Sequence, residues 1–200
     1  MANTEKTKQE NVAKGSSGRG VSYPAISLEQ AVLRAKQFWE HERKNAAPVE
    51  AAGAHWGYSP TSSGVRTMIA ALLSYGLLAD KGSGEKKEVQ LTGRALDIIL
   101  DTPDKGKALI EAVKSPKIYA ELLTQWPPPD FPSDQTIKVY LLRNKNFNPK
   151  AVDGFIEDFR GSISYSGLLN ADNMPKYKTP KVKIGDFVQR VVAGESLMGG

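Results

Sequence analysis

The chain of 200 residues contains no cysteine. Disulfides, thiolate nucleophiles and cysteine-based zinc sites are therefore excluded. Histidine is nearly absent too, with only His41 and His55. A metal site needs more ligands than that at suitable spacing, Glu42 being only a neighbour of His41 in sequence. His55, beside Trp56, reads as a helix-end residue packing on the core. Nowhere do about 18 apolar residues run together, so no helix is expected to span a membrane. The opening MANTEKTKQENVAKGSSGRG has no apolar stretch and reads as no signal peptide. These absences predict a cytoplasmic chain. No glycine loop with lysine and serine is present to cradle phosphate, and no serine sits in a nucleophile elbow. The acidic residues Glu29, Glu40, Asp153, Glu157 and Asp158 fall at helical spacings near lysines and are expected on solvated faces. The expectation is a non-enzymatic protein with no cofactor and no metal.

What the chain has in excess is positive charge, +5 in all. Its placement decides more than its size. Lys6, Lys8, Lys14 and Arg19 against Glu5 and Glu10 leave residues 1–22 at +2. Lys176, Lys178, Lys181, Lys183 and Arg190 against Asp172, Asp186 and Glu195 leave residues 171–200 at +2. Residues 23–170 hold the remaining +1. A pI near 9.3 points towards nucleic acid, and the near-neutral middle tempers that reading. Residues 1–22 and 170–200 are polar and read as a disordered tail and a flexible basic tail, because such stretches bury too little apolar area to offset their ordering entropy.

Between the tails the periodicity is helical. Ser27 with Gln30 three residues on forms a capping box. Leu28, Ala31, Val32, Ala35, Phe38 and Trp39 then follow at three-and-four spacing, and Asn45 reads as the stop. Ala46-Ala47-Pro48 is extended, and Pro48 suits the first turn of a second helix through Trp56. Gly57-Tyr58-Ser59-Pro60 breaks it. A third helix runs from about Ser62 to Tyr75, with Val65, Met68, Ile69, Leu72 and Leu73 as its buried stripe and Gly64, Arg66, Thr67, Ala70, Ala71 and Ser74 opposite. Gly76 ends it. Leu77-Leu78-Ala79 and Val89-Gln90-Leu91 flank a glycine-rich charged turn and predict a hairpin. Thr92 caps a helix ending near Leu100. Helix, helix, helix, hairpin, helix is the order of a helix-turn-helix with a wing, assigned to residues 23–102.

Residues 103–169 predict a second helical block. Its helices cover Pro103–Val113 and Pro116–Trp126, a third is capped by Ser133 or Asp134, and a fourth opens at Phe147-Asn148-Pro149 and gives way at Gly161. The block reads as a wingless helix-turn-helix or a partner-binding lobe. Trp39, Trp56 and Trp126 are read as core.

Three stretches carry a family resemblance: YPAISLEQAVLRA over residues 23–35, Gly57-Tyr58-Ser59 with Ala70–Leu78, and Val89-Gln90-Leu91-Thr92. Together they resemble a bacterial winged helix-turn-helix family of about 200 residues that is poorly characterised. Tyr75-Gly76-Leu77-Leu78 and Leu91-Thr92-Gly93-Arg94 also resemble the third helix, wing and next helix of transcriptional regulators of the multiple-antibiotic-resistance type. The resemblance covers about 80 residues well and the block to Leu169 loosely. It implies the fold and DNA binding, and transfers no functional residue. The terminal Gly185-Asp186-Phe187-Val188-Gln189 resembles the start of a small β-rich module.

In such a fold the third helix enters the major groove and the wing touches the backbone. The candidate DNA-binding residues are therefore Thr61, Ser62, Ser63, Arg66, Thr67 and Ala70 on the helix and Lys81, Lys86 and Lys87 on the wing. Arg66 is suited to guanine, the hydroxyls to phosphates, and the lysines to backbone charge. Against this, one arginine is thin, and Asp80, Glu85 and Glu88 cancel the three wing lysines. The leading expectation is a DNA-binding transcriptional regulator or accessory factor, dimeric or partner-bound through 103–169. The alternative is a protein-interaction module using the winged helix as a scaffold.

Overall fold

The computed structural model describes residues 21–59 and 62–169. The expectations for residues 1–20, Pro60, Thr61 and 170–200, the basic tails and the β-module resemblance at residues 185–189 among them, lie outside the described residues. Within them the chain is mainly helical, with eight α-helices and one small antiparallel sheet of three strands. In chain order these are α1 Leu28–Glu42, β1 Ala47–Pro48, α2 Val49–His55, α3 Ser63–Ser74, β2 Leu78–Lys81, β3 Glu88–Leu91, α4 Gly93–Ile99, α5 Lys105–Lys114, α6 Lys117–Gln125, α7 Asp134–Asn144 and α8 Val152–Ser166.

Side-chain caps set several of the starts. Ser27 accepts from the Gln30 N–H, Ser62 from Gly64, Thr92 from Ala95 and Ser133 from Thr136. Each satisfies one of the donors that a helix leaves unpaired in its first turn, which stabilises by about 1 kcal/mol. α1 ends earlier than Asn45, at Arg43, which takes φ 57. The Arg43 N–H donates to the Trp39 carbonyl, and its guanidinium lies 5.4 Å over the Trp39 ring.

The sheet is larger than the hydrophobic pattern suggests. Its order is β1-β3-β2, with Leu78 opposite Leu91, Lys81 opposite Glu88 and Ala47 opposite Val89. Asp80, Lys81 and Glu88 belong to strands rather than to the turn. A ladder is built by backbone groups, so strand residues facing water need not be apolar. β1 turns the extended Ala47-Pro48 into a third strand. Pro48, which cannot donate, sits on the outer edge of the sheet.

α3 buries a wider arc than one stripe. Val65, Met68, Ile69, Ala71 and Leu72 are all buried, whereas Leu73 is only partly so. The spacing places Ala71 on the outer side. The reason for the difference is that α3 is contacted by α1, α2 and β2 together, so its core-facing surface spans more than one flank. The arc next to it, with Ser63, Arg66, Thr67 and Ala70, is exposed.

One continuous core joins the first helices to the last. α8 lies against α1, α5 and α7, with Phe155, Ile156, Phe159 and Ile163 buried. It starts at Val152, later than Phe147-Asn148-Pro149, because Asn148 first forms a turn in which its Oδ1 accepts from the Lys150 N–H. It also passes straight through Gly161 and ends at Gly167, which takes the left-handed φ of 68. Packing on three neighbouring helices outweighs the weak helix propensity of one glycine. Trp56 is buried and its indole N–H donates to the Arg34 carbonyl at 3.0 Å, while Trp39 and Trp126 are partly buried against the core.

Two glycines have opposite consequences. A Cβ at Gly161 would meet nothing within 4 Å, so Gly161→Ala is expected to raise stability by about 0.5–1 kcal/mol in urea unfolding. Gly76 holds φ 68, and a Cβ there would collide with the Arg94 guanidinium. Gly76→Ala is expected to lower stability by at least about 1–2 kcal/mol in the same measurement. Equal shifts for the two variants would contradict this account of both helix ends.

Candidate nucleic-acid interface

The local sequence dictates what α3 shows to solvent. Ser63-Gly64-Val65-Arg66-Thr67-Met68-Ile69-Ala70-Ala71-Leu72-Leu73-Ser74 contains one cation and no acid. Its exposed residues are short, apart from Arg66. No hydrogen bond or ion pair engages Arg66 among the described residues. Ser62 is committed to the cap, where its Oγ accepts from the Gly64 N–H at 3.2 Å. Ser63 is exposed, and Thr67 donates its hydroxyl proton to the Ser63 carbonyl at 3.3 Å. Thr61 lies outside the described residues.

The hairpin formed by β2 and β3 follows α3 directly. The three wing lysines are not equivalent. Lys87 is bound to Asp80 at 2.6 Å, and its hydrogen bond holds the Asp80 carboxyl below the ordinary carboxylate range. Lys81 and Lys86 are exposed and make no ion pair among the described residues. The structure thus brings Ser63, Arg66, Thr67 and Ala70 together on one exposed helix face and leaves Lys81 and Lys86 as the hairpin cations available to a partner. It does not leave Lys87 in that state.

The anchoring of α3 is a buried polar centre. The Tyr75 hydroxyl, just past the end of α3, donates to the Ile26 carbonyl at 2.9 Å and lies 3.3 Å from both the Tyr119 hydroxyl and Ser162 Oγ. Ser162 accepts from the Leu28 N–H at 2.9 Å and donates to the Asp158 carbonyl oxygen at 2.6 Å. Burial pushes both tyrosine hydroxyls well above the ordinary phenol range, and the Asp158 charge adds to the push. They stay protonated and act as hydrogen-bonding groups.

Asp158 itself corrects an expectation. It is not on a solvated face. Burial, reinforced by the neighbouring Glu157, raises its carboxyl to about 7. The periodicity places it with Asp153 and Glu157 on the outer face; those two are exposed, whereas Asp158, one position further round α8, is half-buried beside the packed side of the helix. His55 and Glu42 are also closer than sequence distance implies. His55 Nε2 lies 2.6 Å from Glu42 Oε1, and His41 stacks on His55 at 4.2 Å. The end of α1 and the end of α2 meet there. His55 also sets its ring edge-on to Phe38, as a helix-end residue on the core does. No group of three metal-ligating side chains occurs among the described residues.

A groove of about 480 Å³ runs beside α4 and α5. It mixes Arg94 and Lys107 with Asp97, Asp104 and Glu111. Arg94 is committed to the fold, since its Nη1 donates to the Tyr75 carbonyl at 2.9 Å and to Ser115 Oγ at 2.7 Å. A cation at the C-terminal end of α3 also complements the helix dipole. Its Nε is buried without a partner among the described residues.

Comparison with protein-family models, with curated proteins and with solved structures returns no match.

The raised Asp158 carboxyl makes stability depend on pH in a defined direction. The folded chain keeps this proton up to about pH 7, whereas the unfolded chain loses it near 3.8. Between those values the folded state binds more protons. The Asp158 contribution is therefore fully present below about pH 4, declines as pH rises to about 7 and is flat above. Asp158→Asn is expected to remove that decline and to be the more stable form at pH 8, read by urea unfolding across pH 4–8. A wild-type profile that rises over the same range, with an unchanged profile in the variant, would refute the assignment.

Proposed function

We propose that residues 23–102 form a winged helix-turn-helix and that the chain is a non-enzymatic DNA-binding protein, a transcriptional regulator or accessory factor, which lays α3 in the major groove and the hairpin on the backbone. The element order supports it: α1, the short β1, α2, α3 and then the β2–β3 hairpin. So does the way α3 turns one arc inward and leaves the other bare. The observation that carries the reading is the exposed face of α3, which holds Arg66 among small side chains and has no acidic residue. A helix with short outer side chains lets its backbone approach the groove floor, and a lone cation there favours a polyanion.

Arg66, Lys81 and Lys86 are the cations this reading uses. The terminal segments add sequence charge of +2 each, which strengthens attraction to phosphate. A rival reading, a protein-interaction scaffold with a partner or a second copy on residues 103–169, draws on the Asp80–Lys87 pair and on the near-neutral middle.

Affinity for duplex DNA is expected to fall steeply with salt, with log K against log salt declining by roughly 0.9 for each phosphate neutralised. Arg66→Ala should weaken specific binding by roughly 1–3 kcal/mol, and Lys81→Ala should weaken all duplexes evenly and flatten the salt slope by about 1. The measurement is a fluorescence-anisotropy titration of the full chain over a salt series. Absence of any duplex binding at low salt, together with a protein partner retained at high salt, would replace this reading with the scaffold.

A further inference from the structure

We infer that the outer face of α3 reads guanine and thymine, through the Arg66 guanidinium and the methyl groups of Thr67 and Ala70. This rests on the DNA reading above and deepens it to a base preference.

In the major groove, adenine is read bidentately by Asn or Gln, cytosine by an Asp or Glu acceptor, guanine by a cationic fork, and thymine by an apolar contact with its 5-methyl. α3 contains no Asn, Gln, Asp or Glu. It therefore lacks the groups that select adenine or cytosine directly. Arg66 is exposed and engaged by nothing among the described residues, and its fork matches guanine O6 and N7.

Thr67 is the less obvious part. Its hydroxyl donates to the Ser63 carbonyl one turn back, an arrangement open to threonine in a helix. With the hydroxyl turned onto its own backbone, the methyl is the group that Thr67 offers to a partner. Ala70 is exposed and offers a second methyl. It stands four residues after Arg66, hence on the same helix face. Thr67 lies beside them. One guanidinium and two methyls thus share a surface with no carboxylate on α3. Ser62, which could have added a hydroxyl, is committed to the cap.

The test starts from duplexes selected by the full chain from a random-sequence pool at low salt. Each thymine of the selected site is then replaced by deoxyuridine, which removes only the 5-methyl, and each guanine by 7-deazaguanine, which removes only the N7 acceptor. At one or two thymines the loss of a methyl is expected to weaken binding about fourfold, the equivalent of about 0.8 kcal/mol per buried carbon. Thr67→Ser, which keeps the hydroxyl, should abolish the thymine–deoxyuridine difference at one position, and Thr67→Val, which keeps a methyl, should retain it. 7-Deazaguanine should weaken the wild-type chain and leave Arg66→Ala unaffected. All three substitutions are on the exposed face, so folding is not at stake. Equal affinity for thymine and deoxyuridine duplexes, or a selected site without guanine and thymine, overturns the inference while DNA binding stands. Failure to retain any duplex at low salt overturns DNA binding itself, and the base preference with it.

Discussion

The hydroxyl of Tyr75 is the point on which the arrangement of helices depends. It sits at the end of α3 and within 3.3 Å of groups from the start of α1, from α6 and from α8. Residues more than a hundred positions apart meet there, as the Leu28 N–H bond to Ser162 shows. An unpartnered hydroxyl or carbonyl in this interior would cost about 1–3 kcal/mol each. Only a narrow set of helix positions satisfies all of them together. Apolar burial brings these helices close, with Tyr119 edge-on to Phe155 and Phe159 around the same point. The hydroxyls then choose one register among the apolar packings that would be nearly as compact.

Fixing Tyr75 fixes the outward face of α3. The next residue, Gly76, turns the chain with a left-handed φ, and Arg94 reaches back from α4 to the Tyr75 carbonyl. Thr92 donates to the Gly76 carbonyl at 2.7 Å, tying the far end of the hairpin to its near end. The hairpin is therefore held to the end of α3 at its base by two hydrogen bonds and stiffened along its outer side by β1. With α3 and the hairpin tied at their shared base, a surface that uses both is preorganised, which lowers the ordering cost of binding.

Much of this was legible in the sequence, for particular reasons. Ser27 and Thr92 mark helix starts, and Ser133 is one of two candidates for a third, because hydroxyl caps act locally, within three residues. Gly76 marks a helix end because only its backbone freedom suits the turn. What was not legible depends on partners distant in the chain. Ala47-Pro48 is a strand only because Val89 arrives opposite it. Asp80, Lys81 and Glu88 look like turn residues until the ladder between β2 and β3 claims their backbones. Ala71 is buried because three elements converge on α3, and Asp158 is half-buried because it borders the side of α8 that packs on neighbouring helices. Gly161 is a plausible helix end by propensity, and tertiary packing overrides it. The Glu42–His55 pair joins two helix ends that no periodicity relates. Of the candidate interface, the exposure of Ser63, Arg66, Thr67 and Ala70 could be read from spacing. The difference between Lys87 and the two other hairpin lysines could not, because it comes from the cross-strand approach of Asp80.

That difference bears on how the proposed interface would divide its work. The folded middle is almost neutral, so long-range attraction to a polyanion from that part of the chain is small. The charge that remains is local: Arg66 on the helix, and Lys81 and Lys86 on the hairpin. Phosphate contacts set position and are blind to sequence, whereas a guanidinium and methyl groups on a groove-facing helix discriminate between bases. A surface with few cations and small, specifically placed apolar groups therefore trades strength of non-specific binding for a larger share of base readout. In the DNA reading the basic terminal segments, at +2 each, are where the sequence-independent attraction resides. In the same reading, α3, held in place from behind by Tyr75, supplies the selectivity.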